Sequence, residues 1–467
     1  MSPEWGRLPL LPLRCVLDHL STEDALAAMS TCRHWRNAVL LYEGHKDTLN
    51  LRAKNLEASL FVSRIFRRHT RKLHVHLDCK EHELENFVNF VLTQFFDTAK
   101  LQELIFIGPS YEQQSQHTQY VKLKRIITES LVFKHAHSLL KLGFLGCEMS
   151  AVCNENDRYT HKHVEYYSRP LTFCGETAAD TILSSGNSSL MVYSSIQHII
   201  VEYEQISTVA LETLASLPQL GRVSLNIAQA RPAPLAPLDW LRVRRAFARA
   251  LHVALNIIAV PSRRFDDIIE NVLVDGLELT SLKVLFCKTM YAPLVSHVTQ
   301  LYHASLRELV WADGPHEPAE PYRRADRGYR LLTNTNYSDA NPFVLLSWQC
   351  MNLRRLVIHG YWVFHYDLLG VVRLSKTLAQ LEVSSIYSRR DKFRNSIDDF
   401  AMRVMTSHTP CAVDPAYIRE VNEYTEFKWR PTSRAQLHPA LRPRCAPRDR
   451  ANYIQRELTH PLDPTLE

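Results

Sequence analysis

One short phrase recurs along most of this chain and limits what it can fold into. It consists of an aliphatic residue, two variable residues, a second aliphatic, one variable residue and a third apolar side chain. It reads Leu101, Leu104, Phe106; Leu139, Leu142, Phe144; Ile196, Ile199, Val201; and Leu220, Val223, Leu225. Further copies are Leu282, Leu285, Cys287; Leu306, Leu309, Trp311; Leu353, Leu356, Ile358; and Leu378, Leu381, Val383. Leu73 with Val75 and Leu251 with Ala254 are weaker copies, which makes ten in all. The last part of the phrase alternates as a half-buried strand does, and the text between copies supplies helices, for example over 208–216, 238–250 and 264–272. One strand and one short helix cannot bury their own apolar faces. Neighbouring units must therefore stack into a curved parallel sheet with helices outside.

The middle residues 223, 254, 285 and 309 stand 31, 31 and 24 apart, and 356 and 381 stand 25 apart. That spacing is close to the roughly 20–29-residue period of leucine-rich repeats. A doubly wound domain of unrelated αβ units is the competing arrangement. It would bring a Gly-rich phosphate turn after a strand, and none of the 13 glycines stands in G-x-G spacing. Two polar insertions, 147–195 and 313–341, interrupt the array, and such insertions project as loops on one face. The reading is therefore α/β, with repeats over 46–395 and an extension over 396–467.

Hydrophobic content of 46% is that of a globular chain. No stretch reaches the roughly eighteen apolar residues of a membrane-spanning helix; the best run, 253–260, is under half of that. Glu4, Arg7, Arg14 and Asp18 interrupt any apolar N-terminal leader, so the ten cysteines point to reduced thiols in cytoplasm or nucleus rather than to a disulfide framework. The charge of +6 is concentrated beyond Trp429, where seven arginines from Arg430 to Arg456 alternate with Pro431, Pro439, Pro443 and Pro447. Prolines at that density predict a largely disordered tail.

At the N-terminus, Leu8-Pro9 leads into Leu13, Val16, Leu17 and Leu20, the i, i+3, i+4, i+7 spacing of one helix face. Ser21 with Asp24 reads as a capping box opening a second helix through Ala25, Leu26 and Met29. A third stretch carries Cys32, Trp35 and Val39 on one face. Three helices within residues 1–45 form a very small unit, and units below roughly forty residues rarely bury enough surface to stand alone.

These residues resemble the F-box family, whose pattern is Leu-Pro, an apolar pair, a Leu and Cys-x-x-Trp. Leu8, Pro9, Val16, Leu17, Leu20, Cys32 and Trp35 fall at the family's spacing. Leu11 stands where the family often has an acidic residue, and Pro12 where it usually has an aliphatic one. The resemblance implies a three-helix module that docks on the adaptor Skp1 through Leu8, Pro9, Leu13, Val16, Leu17, Leu20, Cys32 and Trp35. Through Skp1 it implies a cullin-RING scaffold that carries a ubiquitin-charged enzyme. Further along, Asn341 to Cys350, continued by Leu353, Leu356, Ile358, His359, Gly360 and Tyr361, is similar to the C-terminal repeats of F-box proteins with divergent leucine-rich repeats.

Catalytic signatures are missing: there is no G-x-S-x-G, no H-E-x-x-H and no phosphate loop. Asp266-Asp267 and Asp398-Asp399 are adjacent pairs, and helix neighbours diverge by about 100°. Cys147, Cys153, His161, His163 and Cys174 are zinc-type ligands without a tight knuckle spacing, so no metal and no cofactor are expected. What remains is the strand face turned away from the buried aliphatics, including Phe286, Glu308, Arg355 and His359, with Tyr361 and Trp362 beside a strand end. It mixes apolar groups with both charge signs, which suits a protein substrate better than a uniformly basic nucleic-acid groove. The expected function is the substrate-recognition subunit of a Skp1–cullin–F-box ubiquitin ligase. The alternatives are a repeat scaffold without ligase recruitment, or an RNA-binding protein using the basic tail.

Overall fold

In the computed structural model of this chain, the residues described are 5–20, 22–42, 47–78, 81–96, 100–108, 111, 120–123, 131–132, 134–149, 164–167, 193–228, 235–314, 341–361, 363–388, 403–405, 415–433, 435–442 and 445–459. Three helices come first: α1 (Leu10–His19), α2 (Thr22–Met29) and α3 (Arg33–Leu41). Ser21, the expected cap of α2, lies outside the described residues.

Eleven strands then form one sheet in chain order, every neighbour parallel. They are β1 (Thr48–Arg52), β2 (Lys72–His76), β3 (Glu103–Ile107), β4 (Lys141–Leu145), β5 (His198–Glu202) and β6 (Arg222–Ala228). β7 (His252–Ile258), β8 (Leu279–Leu285), β9 (Glu308–Ala312), β10 (Arg355–His359) and β11 (Gln380–Val383) complete it. The recurring phrase sets the register. Leu49, Leu73, Leu104, Leu142, Ile199, Val223 and Val253 pair across seven strands, and Leu282, Leu309, Leu356 and Leu381 across the last four. A register shift at Val253/Ala254 joins the two runs.

The phrase misses one strand and misplaces two copies. β1 escapes it because Lys46 stands where the first aliphatic belongs, leaving only the alternation of Leu49 and Leu51. In β7 the outer-core residues are Val253 and Leu255, one position off the expected Ala254, and in β8 they are Leu279, Leu282 and Val284, three positions before the expected triplet. Nearly every residue from Leu282 to Cys287 is apolar, so the text there does not say which alternate set faces which side.

Helices cover the outer face, among them α4 (Leu56–Phe66), α5 (Glu81–Phe90), α6 (Thr208–Leu214), α7 (Trp240–Ala246), α8 (Phe265–Asn271), α9 (Ala292–Tyr302), α10 (Pro342–Gln349) and α11 (His365–Leu374). Their apolar faces and the strand aliphatics make one continuous core from Leu49 to Trp429. Rings fill the wider gaps: Phe265 stacks on Tyr291 at 5.3 Å and on Trp311 at 6.3 Å, and Trp311 donates its indole N–H to the Thr289 carbonyl at 3.0 Å. Several strands leave the sheet through a left-handed residue: Gly146, Ala259, Phe286 and Gly360. At Gly360, with φ of 81°, a Cβ would lie 2.4 Å from the Asp313 carbonyl oxygen, so only glycine fits that turn.

The expectation of a largely disordered tail beyond Trp429 is corrected. α12 (Pro415–Asn422) and Trp429 close the outer core, Thr432 bonds the Val383 carbonyl at the sheet edge, and the chain then turns inside the sheet and forms α13 (Pro447–Thr459), the last of the described elements. Pro439 and Pro447 each begin a helical turn, where the missing N–H costs nothing. From Arg448 to Thr459 there is no proline, and Ala451, Ile454 and Leu458 share one face. Most of both insertions, including Cys153, His161, His163 and Cys174, lies outside the described residues. In the first insertion Val164–Tyr167 pairs antiparallel with Tyr120–Leu123.

Candidate functional site

Two surfaces carry the residues singled out by sequence. In the N-terminal module, the extended Pro9 starts α1, and its carbonyl accepts from Leu13 N at 3.1 Å. Leu13 and Leu17 are fully buried among Ala25, Met29, Ala38 and Val39. Cys32 is the extended cap residue of α3, Trp35 packs half-buried on the same cluster, and Leu8 and Leu20 do likewise. His34 Nε2 sits 2.6 Å from the Leu8 carbonyl and ties the lead-in to α3. The expected docking set therefore divides. Leu13 and Leu17 hold the module together, whereas Leu8, Val16, Leu20, Cys32 and Trp35 are half-buried and Pro9 is exposed.

The apolar groups most open to a partner are ones the pattern did not select: Leu10 at 50% exposure, Leu11 at 74% and Leu41 at 61%. Leu11, read in the sequence as a departure from the family, is the most exposed of the three. The only available signal was its position outside the i, i+3, i+4, i+7 stripe.

The second surface is the inside of the curved sheet. Sequence reading expected it open; the structure fills it with the C-terminal segment. Ile105, Leu145, Ile200, Ile258, Leu285, Val310 and Val357 of the strands enclose Leu437, Ala440, Leu441, Tyr453, Ile454 and Leu458 in a second core. Arg52 of β1 bonds Asn452 at 3.2 Å, and Arg355 of β10 bonds Glu457 at 3.1 Å. The first strand and the last but one thus reach one helix, and the sheet curls around it.

Each substrate candidate has a place in this arrangement. Glu308 and Arg355 form an ion pair, and Lys283 lies 3.4 Å from both Glu308 and Glu457. Ser281 donates to Glu308 at 2.5 Å. Phe286 meets Tyr453 edge-on at 5.8 Å, with the Arg450 guanidinium 5.2 Å over its ring. His359 is buried against Glu382 at 3.2 Å, and Tyr361 donates to Asp313, whose burial pushes its carboxyl up to about 7. The reading of these five as a free surface is corrected: Phe286, Glu308 and Arg355 meet α13 or an ion pair beneath it, Tyr361 is satisfied by Asp313, and His359 is buried against Glu382 of β11 with its Nδ1 left without a hydrogen-bond partner among the described residues. Trp362 lies outside the described residues.

Burial works to raise the Glu457 carboxyl, but Lys283, Arg355 and Arg456 outweigh it and hold the group at about 2. Glu308 and Glu103 are also held low, against burial, by Lys283 with Arg355 and by His74 with Lys141. A folded-state value below the unfolded one means that the stabilisation is complete above about pH 4.3 and is lost as pH falls toward the folded value. Acidification from pH 6 to 2.5 is expected to expose residues 445–459 to hydrogen exchange before the outer core opens. Exchange there that is flat across this window would refute the linkage. Among the described residues no group of His, Cys, Asp and Glu is arranged to hold a metal, and no helix is long and apolar enough to cross a membrane.

Residues 5–45 match the model of the F-box domain family. The chain is thus an N-terminal F-box domain followed by a leucine-rich-repeat-like parallel sheet with outer helices. Among solved structures, a leucine-rich repeat-containing protein, LegL7 from Legionella pneumophila, is similar at 8% identity over 81% of this chain and 99% of that one, with a TM-score of 0.35. A chain of the Drosophila Toll–Spatzle complex is similar at 10% identity over 70% of this chain and 42% of that one, with a TM-score of 0.19. At those scores neither adds to the fold assignment, which rests on the strand registers. No curated protein matches the chain in sequence.

Proposed function

We propose that this chain is the substrate-recognition subunit of a Skp1–cullin–F-box ubiquitin ligase. The F-box docks on Skp1, the repeats hold a protein substrate, and the chain itself makes and breaks no bonds. The F-box match over residues 5–45, on a module that leaves Leu10, Leu11 and Leu41 open, is the observation that carries this reading. A substrate tethered by the repeats meets the ubiquitin-charged enzyme at a raised effective concentration, so proximity is the whole contribution. Within this class, our reading is that the stretch from Asn341 to Tyr361 resembles F-box only protein 33, and that the rest of the chain resembles several F-box proteins with divergent repeats, F-box only protein 39 among them. The compartment is cytoplasm or nucleus, which suits the free thiols of Cys147, Cys287 and Cys350.

A repeat scaffold without ligase recruitment is the second reading. Leu26 favours it, because that residue packs against both the F-box cluster and the repeat core, as a capping module would. Purified Skp1 separates the two. It is expected to co-elute with the full chain and not with a chain lacking residues 1–45, while partners that depend on the repeats follow both. Co-elution that survives the deletion would sink the ligase reading.

A further inference from the structure

The helix inside the sheet is held by contacts specific to its C-terminal end. The last carbonyls of a helix have no partner of their own, and that end carries negative dipole charge. Here Lys283 Nζ lies 2.6 Å from the Glu457 carbonyl and Lys141 donates to the Thr459 carbonyl, so two buried cations of the sheet cap α13. The Glu457 carboxylate enters between Arg355, at 3.1 and 3.4 Å, and Lys283. One turn earlier Tyr453 meets Phe286, while Ile454 and Leu458 enter the inner core. Phe286 itself has φ of 57°, a conformation that bulky residues rarely adopt, so the backbone is strained where the ring meets the helix.

We propose that the inside of this sheet is a recognition groove for the C-terminal end of a helical protein segment that carries an aromatic–aliphatic pair, two further residues, then a glutamate and an aliphatic. α13 occupies the groove in cis until such a segment displaces it. The inference rests on reading the repeats as the substrate-holding part, and it names the substrate class they take. With α13 gone, Lys283 and Arg355 lose the Glu457 carboxylate and keep Glu308 as their one directly paired anion, so an acidic ligand is favoured there. A basic residue in place of the glutamate meets two cations. Because the resident helix is covalently attached, a competitor faces a groove that is open only part of the time, and its apparent affinity falls by that fraction.

The test uses the full-length chain and full-length Glu457→Arg, with a labelled peptide of the sequence of residues 445–461. The peptide is expected to bind the variant on the order of 100-fold more tightly than the wild type, because the substitution empties the groove. A host helix of Ala, Gln and Lys that carries only the Tyr, Ile, Glu and Leu at the α13 spacing is expected to bind the variant within about tenfold of the natural peptide. Exchanging its Glu for Lys, or adding Arg355→Ala to the protein, is expected to abolish binding. Absence of peptide binding from a folded variant overturns the proposal. Should Glu457→Arg not fold, hydrogen exchange on the wild-type chain decides: α13 amides that exchange no faster than those of β9 make the helix a fixed part of the fold and overturn it, whereas faster exchange supports it. Skp1 binding, measured in parallel, depends on the F-box alone. Its loss with peptide binding intact counts against the ligase reading and not against the groove.

Discussion

Replacing Leu10 and Leu11 together by aspartate is expected to abolish co-purification with Skp1 while the three-helix module stays folded. Both side chains are exposed and neither belongs to the buried cluster, so the folded module loses little; surface changes of this kind usually stay within about 0.5 kcal/mol. At the centre of an interface the same change removes two apolar anchors and buries two carboxylates, and truncating one anchor alone costs about 2 kcal/mol or more. A loss on the order of a thousandfold in affinity follows. Leu13→Ala or Leu17→Ala is also expected to end Skp1 binding, but by a different route. Each empties a fully buried site at a cost of about 2–5 kcal/mol, more than a cluster of six buried residues can absorb. Circular dichroism and hydrogen exchange over residues 8–42 separate the two routes. Unchanged Skp1 binding by the double aspartate variant would move the docking face elsewhere on the module.

The second large effect is expected at Lys283. Lys283→Met leaves Glu308 and Glu457 sharing Arg355, and it strips the Glu457 carbonyl of its donor. Breaking one partner out of a buried ion cluster costs about 3–5 kcal/mol, because the remaining charge stays in a low-dielectric interior without compensation. Combining Lys283→Met with Glu308→Leu removes the orphaned carboxylate and leaves the Arg355–Glu457 pair intact, so the double variant is expected to be more stable than the single one. Urea midpoints of the three chains check this. A double variant that is less stable than Lys283→Met would show that Ser281 and Arg355 suffice to hold Glu308 without the lysine. The same comparison reports on the groove, since the polar group released by Lys283→Met belongs to the last turn of α13.

Much of this architecture was readable from local text because the governing interactions are local and periodic. The Leu-x-x-Leu-x-apolar phrase has the strand period built into it, and the sheet pairs those aliphatics in parallel register from Leu73 through Val223 and again from Leu309 to Leu381. Where the text was apolar at all but Lys283, as at Leu282 to Cys287, periodicity could not choose between two faces, and the expected triplet fell one strand alternation out of step, with Leu285 on the inner face and Val284 on the outer one. Where the first aliphatic was replaced by Lys46, the strand at Leu49 was not recognised. The F-box pattern was legible for the same reason, since Leu13 and Leu17 repeat at the spacing of one helix face.

By itself, then, the sequence determined the class of elements, their order, and the parallel sheet with helices outside, because each follows from hydrophobic spacing within about thirty residues. Tertiary structure alone decided which apolar residues of the F-box face outward, because Leu10 and Leu17 are equally apolar and differ only in how three helices pack. It also decided the fate of the tail. Pro447 reads as a breaker in a line of text and as a helix start in space, and Glu457 gains its meaning from Lys283 and Arg355, which are more than a hundred residues away along the chain. Buried charge can be kept only where opposite charge converges on it, and that convergence is a property of the curled sheet, which no local pattern encodes.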